Sequence, residues 1–360
     1  MKMTNLAMAV ATTFLASTSA FAAQVYSGDG TSLAIGGYVD VGVGERDGAI
    51  YSDADFQVHQ ISPRLNVEGK KEIGNGVTVD AKGEWAIKYL DAGDTSFTTR
   101  LGYIGVTHEQ AGRLVVGTQW APYYDVVKVT DQPIAFASDF IYENHNQLGS
   151  ARAEKMVSYR NKFEINNELS FGIGLGWQGE AAGSSLKVRN DNIAKTSSGD
   201  FDLDDRVQVA VTADFMGFGL GYVYSGGDIS DAGGSEDAKS QMVSLKYGTY
   251  GKGLYAAIVY GQNDYFYDVM EETEQFEGLI AFGLDNGINI SVNYETVEDD
   301  KNNKTVFSQS AVQVEYTITS GLVAFAGYQF DLGNDLYDDV ANTIPAADED
   351  QYTVGARYFF

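Results

Sequence analysis

Hydrophobic positions recur at every second residue along most of the chain. In residues 61–70 the odd positions are Ile61, Pro63, Leu65, Val67 and Gly69, and the even ones are Ser62, Arg64, Asn66, Glu68 and Lys70. Residues 77–89 set Val77, Val79, Ala81, Gly83, Trp85, Ile87 and Tyr89 against Thr78, Asp80, Lys82, Glu84, Ala86 and Lys88. Residues 206–215 and 288–296 alternate in the same way, with Val207, Val209 and Val211 on one face of the first and Ile290, Val292 and Tyr294 on one face of the second. A period of two places these sets on opposite faces of a strand, one apolar and one wet. A helix would mix them.

The connections alternate too. Short turns fall at residues 74–76, 108–112, 164–168, 214–217, 248–251, 284–287 and 319–321, and between them lie longer polar loops at 45–57, 91–96, 121–151, 181–202, 227–238, 264–274, 298–305 and 333–350. Seven turns and eight loops separate 16 strands, which leaves about 21 residues for each strand with its connection, and spanning strands of about 9–11 residues fit that spacing. Pro63 cannot donate to a sheet ladder, so a place near a rim is expected for it. No linker interrupts the pattern.

No window after residue 22 approaches 18 apolar residues, so no helix crosses a membrane. A transmembrane β-barrel escapes that test, because its lipid-facing residues alternate with polar lumen residues. A soluble sandwich or solenoid shares the alternation, but it has no use for a regular long-loop, short-turn asymmetry. Nor does it gather tyrosines at strand ends, as Tyr89, Tyr247, Tyr255, Tyr294, Tyr328 and Tyr352 suggest, whereas a bilayer has an aromatic belt at each interface. The fold expected is all-β: a transmembrane, 16-stranded antiparallel β-barrel over residues 23–360.

Composition agrees, with 41 glycines, 23 tyrosines, 19 phenylalanines and only 4 prolines. Residues 1–22 read as a secretory signal peptide: Lys2, a mainly apolar run from Leu6 to Ala16, and an Ala20-Phe21-Ala22 site with cleavage after Ala22. Removing 22 of the 360 residues takes away one charge, Lys2, and moves the net charge from −26 to −27. That acidity argues against a nucleic-acid partner. The chain has no cysteine, and His59, His108 and His145 are too scattered for a zinc site, so no metal or cofactor is called for. The acid clusters lie mostly in the long loops and read as a solvated rim, with divalent-cation bridging to lipopolysaccharide as the sharper alternative. Gly172-x-Gly174-x-Gly176 and Gly217-x-Gly219-x-Gly221 suit strand positions where small residues let neighbours approach closely.

The chain stops at Tyr352-Thr-Val-Gly-Ala-Arg-Tyr-Phe-Phe360, with Tyr352, Val354, Ala356, Tyr358 and Phe360 facing out and Gln351, Thr353, Gly355 and Arg357 facing in. This end resembles the C-terminal signature of bacterial outer-membrane barrels. Gly30-Thr-Ser-Leu-Ala-Ile-Gly-Gly-Tyr-Val39, Thr99-Arg-Leu-Gly-Tyr-Ile-Gly105 and Leu114-Val-Val-Gly-Thr-Gln-Trp-Ala-Pro-Tyr-Tyr-Asp125, followed by Arg152 and Ser158-Tyr-Arg-Asn161, resemble strands of the general diffusion porins of Gram-negative bacteria. That resemblance implies an outer-membrane homotrimer in which the third loop folds inward and narrows each pore.

The same resemblance implies a basic wall facing acids on the third loop. Arg64, Arg100 and Arg152 match the wall arginines, and strand parity adds Lys82 and Arg160. Asp131 matches the first loop acid, Asp139 stands in for a later one, and Glu143 is a further candidate. Ile134 stands where a carboxylate is expected, and Tyr38 where the first strand often carries a base, with Asp40 on its face. The implied function is a water-filled channel for passive diffusion of ions and small hydrophilic solutes, cation-leaning because acids crowd the long loops. An alternative is an oligosaccharide-selective porin, with Trp120, Tyr123, Tyr124 and Phe136 as stacking surfaces. A hydrolase is a third reading with little support: no G-x-S-x-G elbow is present.

Overall fold

The computed structural model describes residues 22–46, 56–90, 96–138, 140–189, 196–333, 335 and 350–360. The expected leader up to residue 21, Asp139 and most of the loops at 45–57, 91–96 and 333–350 lie outside the described residues.

Strands follow one another as β1 (Ala23–Gly28), β2 (Thr31–Glu45), β3 (Phe56–His59), β4 (Arg64–Gly74), β5 (Val77–Lys88), β6 (Ser96–His108) and β7 (Gly112–Trp120). The third loop carries two short helices, α1 (Pro122–Val127) and α2 (His145–Leu148). Beyond it run β8 (Arg152–Glu164), β9 (Leu169–Gln178), β10 (Ala181–Arg189), β11 (Thr196–Leu203), β12 (Arg206–Phe215), β13 (Phe218–Asp231) and β14 (Gly234–Thr249). The rest are β15 (Lys252–Asp264), β16 (Glu272–Gly283), β17 (Ile288–Asp299), β18 (Lys304–Thr319), β19 (Leu322–Asp331) and β20 (Gln351–Phe359).

All described pairings are antiparallel, and β20 returns to pair with β2 from Tyr38↔Phe359 to Glu45↔Tyr352, which closes the sheet. These segments form 16 staves, as the turn and loop pattern predicts. β1 continues the line of β20 along β2, and Gly37 and Phe360 exchange backbone bonds of 3.1 Å where the two ends meet. β3 and β4 are one stave with a break, while β10 and β11 form a hairpin in the fourth loop.

The break surrounds Pro63, which sits within its stave rather than at the rim. Side chains replace the missing ladder there. Asp40 Oδ1 accepts from Ile61 N at 2.8 Å, Gln60 Nε2 donates to Ile87 O at 2.8 Å, and Gln60 Oε1 accepts from Tyr89 N at 3.2 Å. A proline is tolerated because the neighbouring peptide groups are paired without it.

Strand parity holds at the predicted faces. Val207, Val209 and Val211 point outward and exposed, while Arg206, Gln208 and Ala210 are buried inside. Tyr247, Tyr294 and Tyr328 face outward, as an interfacial belt requires. Tyr89 and Tyr255 do not: the first bonds the Asp40 backbone and the second is buried with its hydroxyl on Val129 O.

Two predicted loops are strand. Residues 181–202 belong mostly to the β10–β11 hairpin, and 227–238 continue β13 and β14 to the pair Asp231↔Gly234. Ile229, Ala238, Leu186, Phe201 and Leu203 are buried together on one side of these segments. Gly, Ser, Asp and Glu fill most of the other positions, so the apolar alternation that marks a strand is lost although the ladder continues.

Candidate functional site

The third loop is held across the lumen by its own sequence and by the wall beneath it. Ala121 N donates to Ala151 O at 2.8 Å and ties the loop's two ends together. Pro122, at the helix start where its missing N–H is harmless, opens α1. Tyr123, Val126 and Val127 then lie buried against β12, β13 and β14. The wall leaves room for α1 because several of its inward residues are glycines. A Cβ at Gly174 or Gly176 would lie 3.1 or 3.2 Å from Pro122, and one at Gly221 only 2.9 Å from Val126 Cγ1. Polar ties fix the register: Tyr123 N donates to Gln208 Oε1 at 3.2 Å, Tyr123 Oη shares a 2.8 Å bond with Ser240 Oγ, and Arg160 Nε meets Asp125 Oδ2 at 2.5 Å.

Past α1 the loop follows the inner wall strand by strand. Tyr255 Oη (β15) donates to Val129 O at 2.6 Å, and Thr130 and Ser138 hydroxyls donate to Glu277 (β16). Asn293 Nδ2 (β17) and Gln313 Nε2 (β18) donate to Phe136 O, while Ile134 N donates to Glu315 Oε1 (β18) at 2.8 Å. The Phe136 ring lies where a Cβ on Gly327 (β19) would come within 2.9 Å of it. The chain returns through a short helical turn at Phe140–Tyr142, where Ser150 Oγ bonds Ile141 O, and through α2. Among the described residues the loop therefore covers the wall from β9 to β19 and leaves most of β20, β2, β4, β5 and β6 bare. It meets that side where Arg46 lies 5.0 Å over the Phe136 ring and Ile61 packs against the Ala135–Phe136 cluster.

That bare wall is basic. Glu84 (β5) sits among three cations: Arg100 Nε at 3.0 Å, Arg64 Nη1 at 3.7 Å and Lys82 Nζ at 3.7 Å. One carboxylate holds three like charges close together and leaves the group net positive. Arg152 lies farther along, 5.5 Å over the Trp120 ring and 5.8 Å over the Tyr142 ring. Its Nη2 is 2.6 Å from His145 Nε2, and its buried Nε and Nη1 have no hydrogen-bond partner among the described residues.

The tautomer of His145 follows from its two bonds. Tyr142 O, 2.5 Å from Nδ1, can only accept, so Nδ1 carries the proton and Nε2 accepts from Arg152. Burial, then the adjacent guanidinium, pushes this imidazole down to about 4. The loop acids have their own partners. Tyr124 and Tyr142 hydroxyls donate to Asp131 Oδ2 at 2.6 and 2.5 Å, and burial with that carboxylate holds both phenols well above the ordinary tyrosine range. Glu143 pairs at 2.7 Å with Lys187 of β10.

Arg64, Arg100 and Lys82 thus share one cluster, and Arg152 borders it. Arg160 stands apart, its guanidinium spent on Asp125, Ser158 Oγ and Trp120 O beneath α1. Asp139 lies outside the described residues. Of the four aromatics, Trp120 and Tyr124 stack on each other at 4.1 Å and keep a partly open face. Tyr123 and Phe136 are only 1% and 3% exposed, so they anchor the loop to the wall and offer a solute no stacking surface. Among the described residues no three His, Asp or Glu side chains converge to hold a metal ion.

Sequence reasoning misses Glu84 and Arg357 as members of the site. Parity faces both inward, but nothing in the pattern says which inward residues share a height. Arg357 (β20) meets Asp40 Oδ2 at 2.8 Å and lies 4.2 Å over the Tyr38 ring, which Arg64 also approaches at 4.7 Å.

Comparison with known proteins agrees with this architecture. A family pattern described as Gram-negative porin matches residues 7–360. Outer membrane protein YedS of Escherichia coli is 25% identical over 388 aligned positions that cover 100% of both chains. Outer membrane porin N of Escherichia coli strain K12 is 27% identical over 301, covering 78% of this chain and 76% of that one. Among solved structures, OmpF of Salmonella typhi in complex with daunomycin superimposes with a TM-score of 0.73 at 20% identity, over 94% of this chain and 100% of the other.

Proposed function

The chain belongs to the Gram-negative porins, outer-membrane channels for passive diffusion, and from that premise we propose that the gap between its third loop and the bare basic wall is the filter. The supporting observation is the course of the loop, bonded in turn to β15, β16, β17 and β18, on the side of the lumen away from the Glu84 cluster. Arg64, Arg100, Lys82 and Arg152 line one side, and Asp131 and Glu143 belong to the other. The field between them orders a passing solute by its charge, and the gap limits its size. Arg160 contributes by holding α1 in place. The chain is exported with cleavage after Ala22, works as a homotrimer and borders lipopolysaccharide.

A net charge of −26 with acids crowded in the outer loops favours cations at the mouth, and the wall arginines oppose that preference inside. Reversal potentials of the purified protein in planar bilayers across a salt gradient test both claims. Stepwise currents that reverse on the cation side are expected. Absence of steps overturns the channel, and reversal on the chloride side overturns only the cation preference.

One observation favours a second reading. The Trp120–Tyr124 pair, with its rings 22° from parallel, is a platform of the kind that sugars stack on. Current block by micromolar maltooligosaccharide would support an oligosaccharide-selective porin. A hydrolase finds no support in the histidines: His59 bonds Thr353, His108 caps its own turn, and His145 bonds Arg152 and Tyr142.

A further inference from the structure

β20 and β2 meet at the seam where the barrel closes, and a guanidinium from one strand is seated on the other. Asp40 and Arg357 are direct cross-strand partners. Arg357 Nε and Nη2 lie 3.0 and 2.8 Å from Asp40 Oδ2, and the Asp40 side chain is fully buried. Asp40 also accepts from the N–H groups of Ile61 and Ser62, which fixes its carboxylate. Tyr38 supplies a second seat. Both Arg357 and Arg64 lie over its ring, at 4.2 and 4.7 Å, and its hydroxyl shares a 3.1 Å bond with Ser62 Oγ, which Arg64 Nη2 also contacts at 3.1 Å. Tyr38 and Arg64 are themselves cross-strand partners, so Arg357, Tyr38, Arg64, Glu84 and Arg100 form one continuous row across β20, β2, β4, β5 and β6.

The seam thus offers a base beside the position where the first strand has Tyr38. We propose that Arg357 is a specificity-determining residue of the pore: the terminal strand supplies one end of the basic row, and Asp40 sets how much of that charge a passing ion meets. The inference rests on the channel reading above and adds a residue and a rule to it. The row is complete only when β20 has sealed onto β2, because neither strand alone holds both the base and its seat. Barrel closure and the charge of the filter are one event.

The rule has a sign. Arg357→Gln leaves the Asp40 carboxylate without its guanidinium, so the wall becomes more negative. Asp40→Asn leaves Arg357 unopposed, so the wall becomes more positive. Arg357 is 8% exposed, and one unit charge so placed on the inner wall changes local ion concentration by a small factor at moderate salt, so a shift of about twofold in the potassium-to-chloride permeability ratio is expected for each change. Both variants lose the same ion pair, so a merely structural role would move them in the same direction.

The test is the reversal potential of single channels in a potassium chloride gradient. Arg357→Gln shifts it toward cations, Asp40→Asn toward anions, and the double variant returns to the wild-type value. Because the chain has no cysteine, Arg357→Cys presents a single thiol that can be charged after the barrel has folded. A cationic methanethiosulfonate then moves the reversal potential toward anions, and an anionic one toward cations. Equal or parallel shifts in the two single variants, or a thiol whose labelling moves nothing, overturn the assignment of Arg357 while the channel stands. A wild-type protein without stepwise conductance overturns the channel itself.

Discussion

The glycine floor under α1 gives the sharpest test of how the third loop is held. At Gly221 an added Cβ would lie 2.9 Å from Val126 Cγ1 and 2.6 Å from Ser244 Oγ, where ordinary contact begins at 3.4 Å. The serine hydroxyl can rotate away. Val126 cannot readily do so, because a β-branched side chain in a helix has one strongly preferred rotamer. Gly221→Ala therefore drives α1 about 0.5 Å toward the lumen, at an overpacking penalty of about 1–3 kcal/mol. A strand alanine recovers about 0.5–1 kcal/mol of backbone entropy, so the net loss is about 0–2.5 kcal/mol, centred on about 1 kcal/mol. The barrel ladder is untouched, so the expected effect is a lower single-channel conductance with a modest fall in thermal midpoint. Val126→Ala removes the atoms in the way and by itself leaves a small void. Combined, the two substitutions should be milder than their sum by about 1 kcal/mol, since each fills or relieves what the other disturbs. Thermal unfolding followed by circular dichroism, with conductance recorded for the same four proteins, measures this. Wild-type conductance and stability in Gly221→Ala, or strict additivity in the double variant, would refute the floor.

Arg160→Ala strips Asp125 of its guanidinium beneath α1, and a loss of about 2–3 kcal/mol in stability with noisier open-channel current is expected in thermal and bilayer measurements. His145, pushed down to about 4 from an ordinary 6.5, is kept neutral by the fold. Its folded-state value lies below the unfolded one, so its contribution is intact above pH 6.5 and is lost as pH falls toward 4, by about 3 kcal/mol at most. The thermal midpoint of the wild type should therefore fall more steeply than that of His145→Gln through this window, and parallel profiles would contradict the Arg152–His145 bond. Glu84→Gln removes the carboxylate shared by Arg64, Arg100 and Lys82, so the reversal potential should move toward chloride, and an unchanged value would place this cluster off the ion path.

Much of the proposed filter is legible in the amino-acid order. Parity alone puts Arg64, Lys82, Arg100 and Arg152 on inward faces, because a transmembrane strand must show lipid one face and water the other. Pairing is not legible. Arg160 has the same parity as Arg152, yet only the path of α1 turns it into an anchor for Asp125. Tyr123 and Phe136 are candidate stacking surfaces in sequence, and what makes them anchors is the ground at Gly174, Gly176, Gly221 and Gly327 on which the loop that carries them lies. Alternation fails at residues 227–238, where β13 and β14 continue with few apolar residues beyond the buried Ile229 and Ala238.

The order of strands, their facing and the closed topology are local matters, set by a two-residue period and by turn chemistry within about 20 residues of each position. Distances across the lumen are not. Asp40 and Arg357 are 317 positions apart, and no short-range rule relates them. Closing the sheet makes the last strand a neighbour of the second, so which charges neutralise one another is decided by the barrel's register and the course of its third loop.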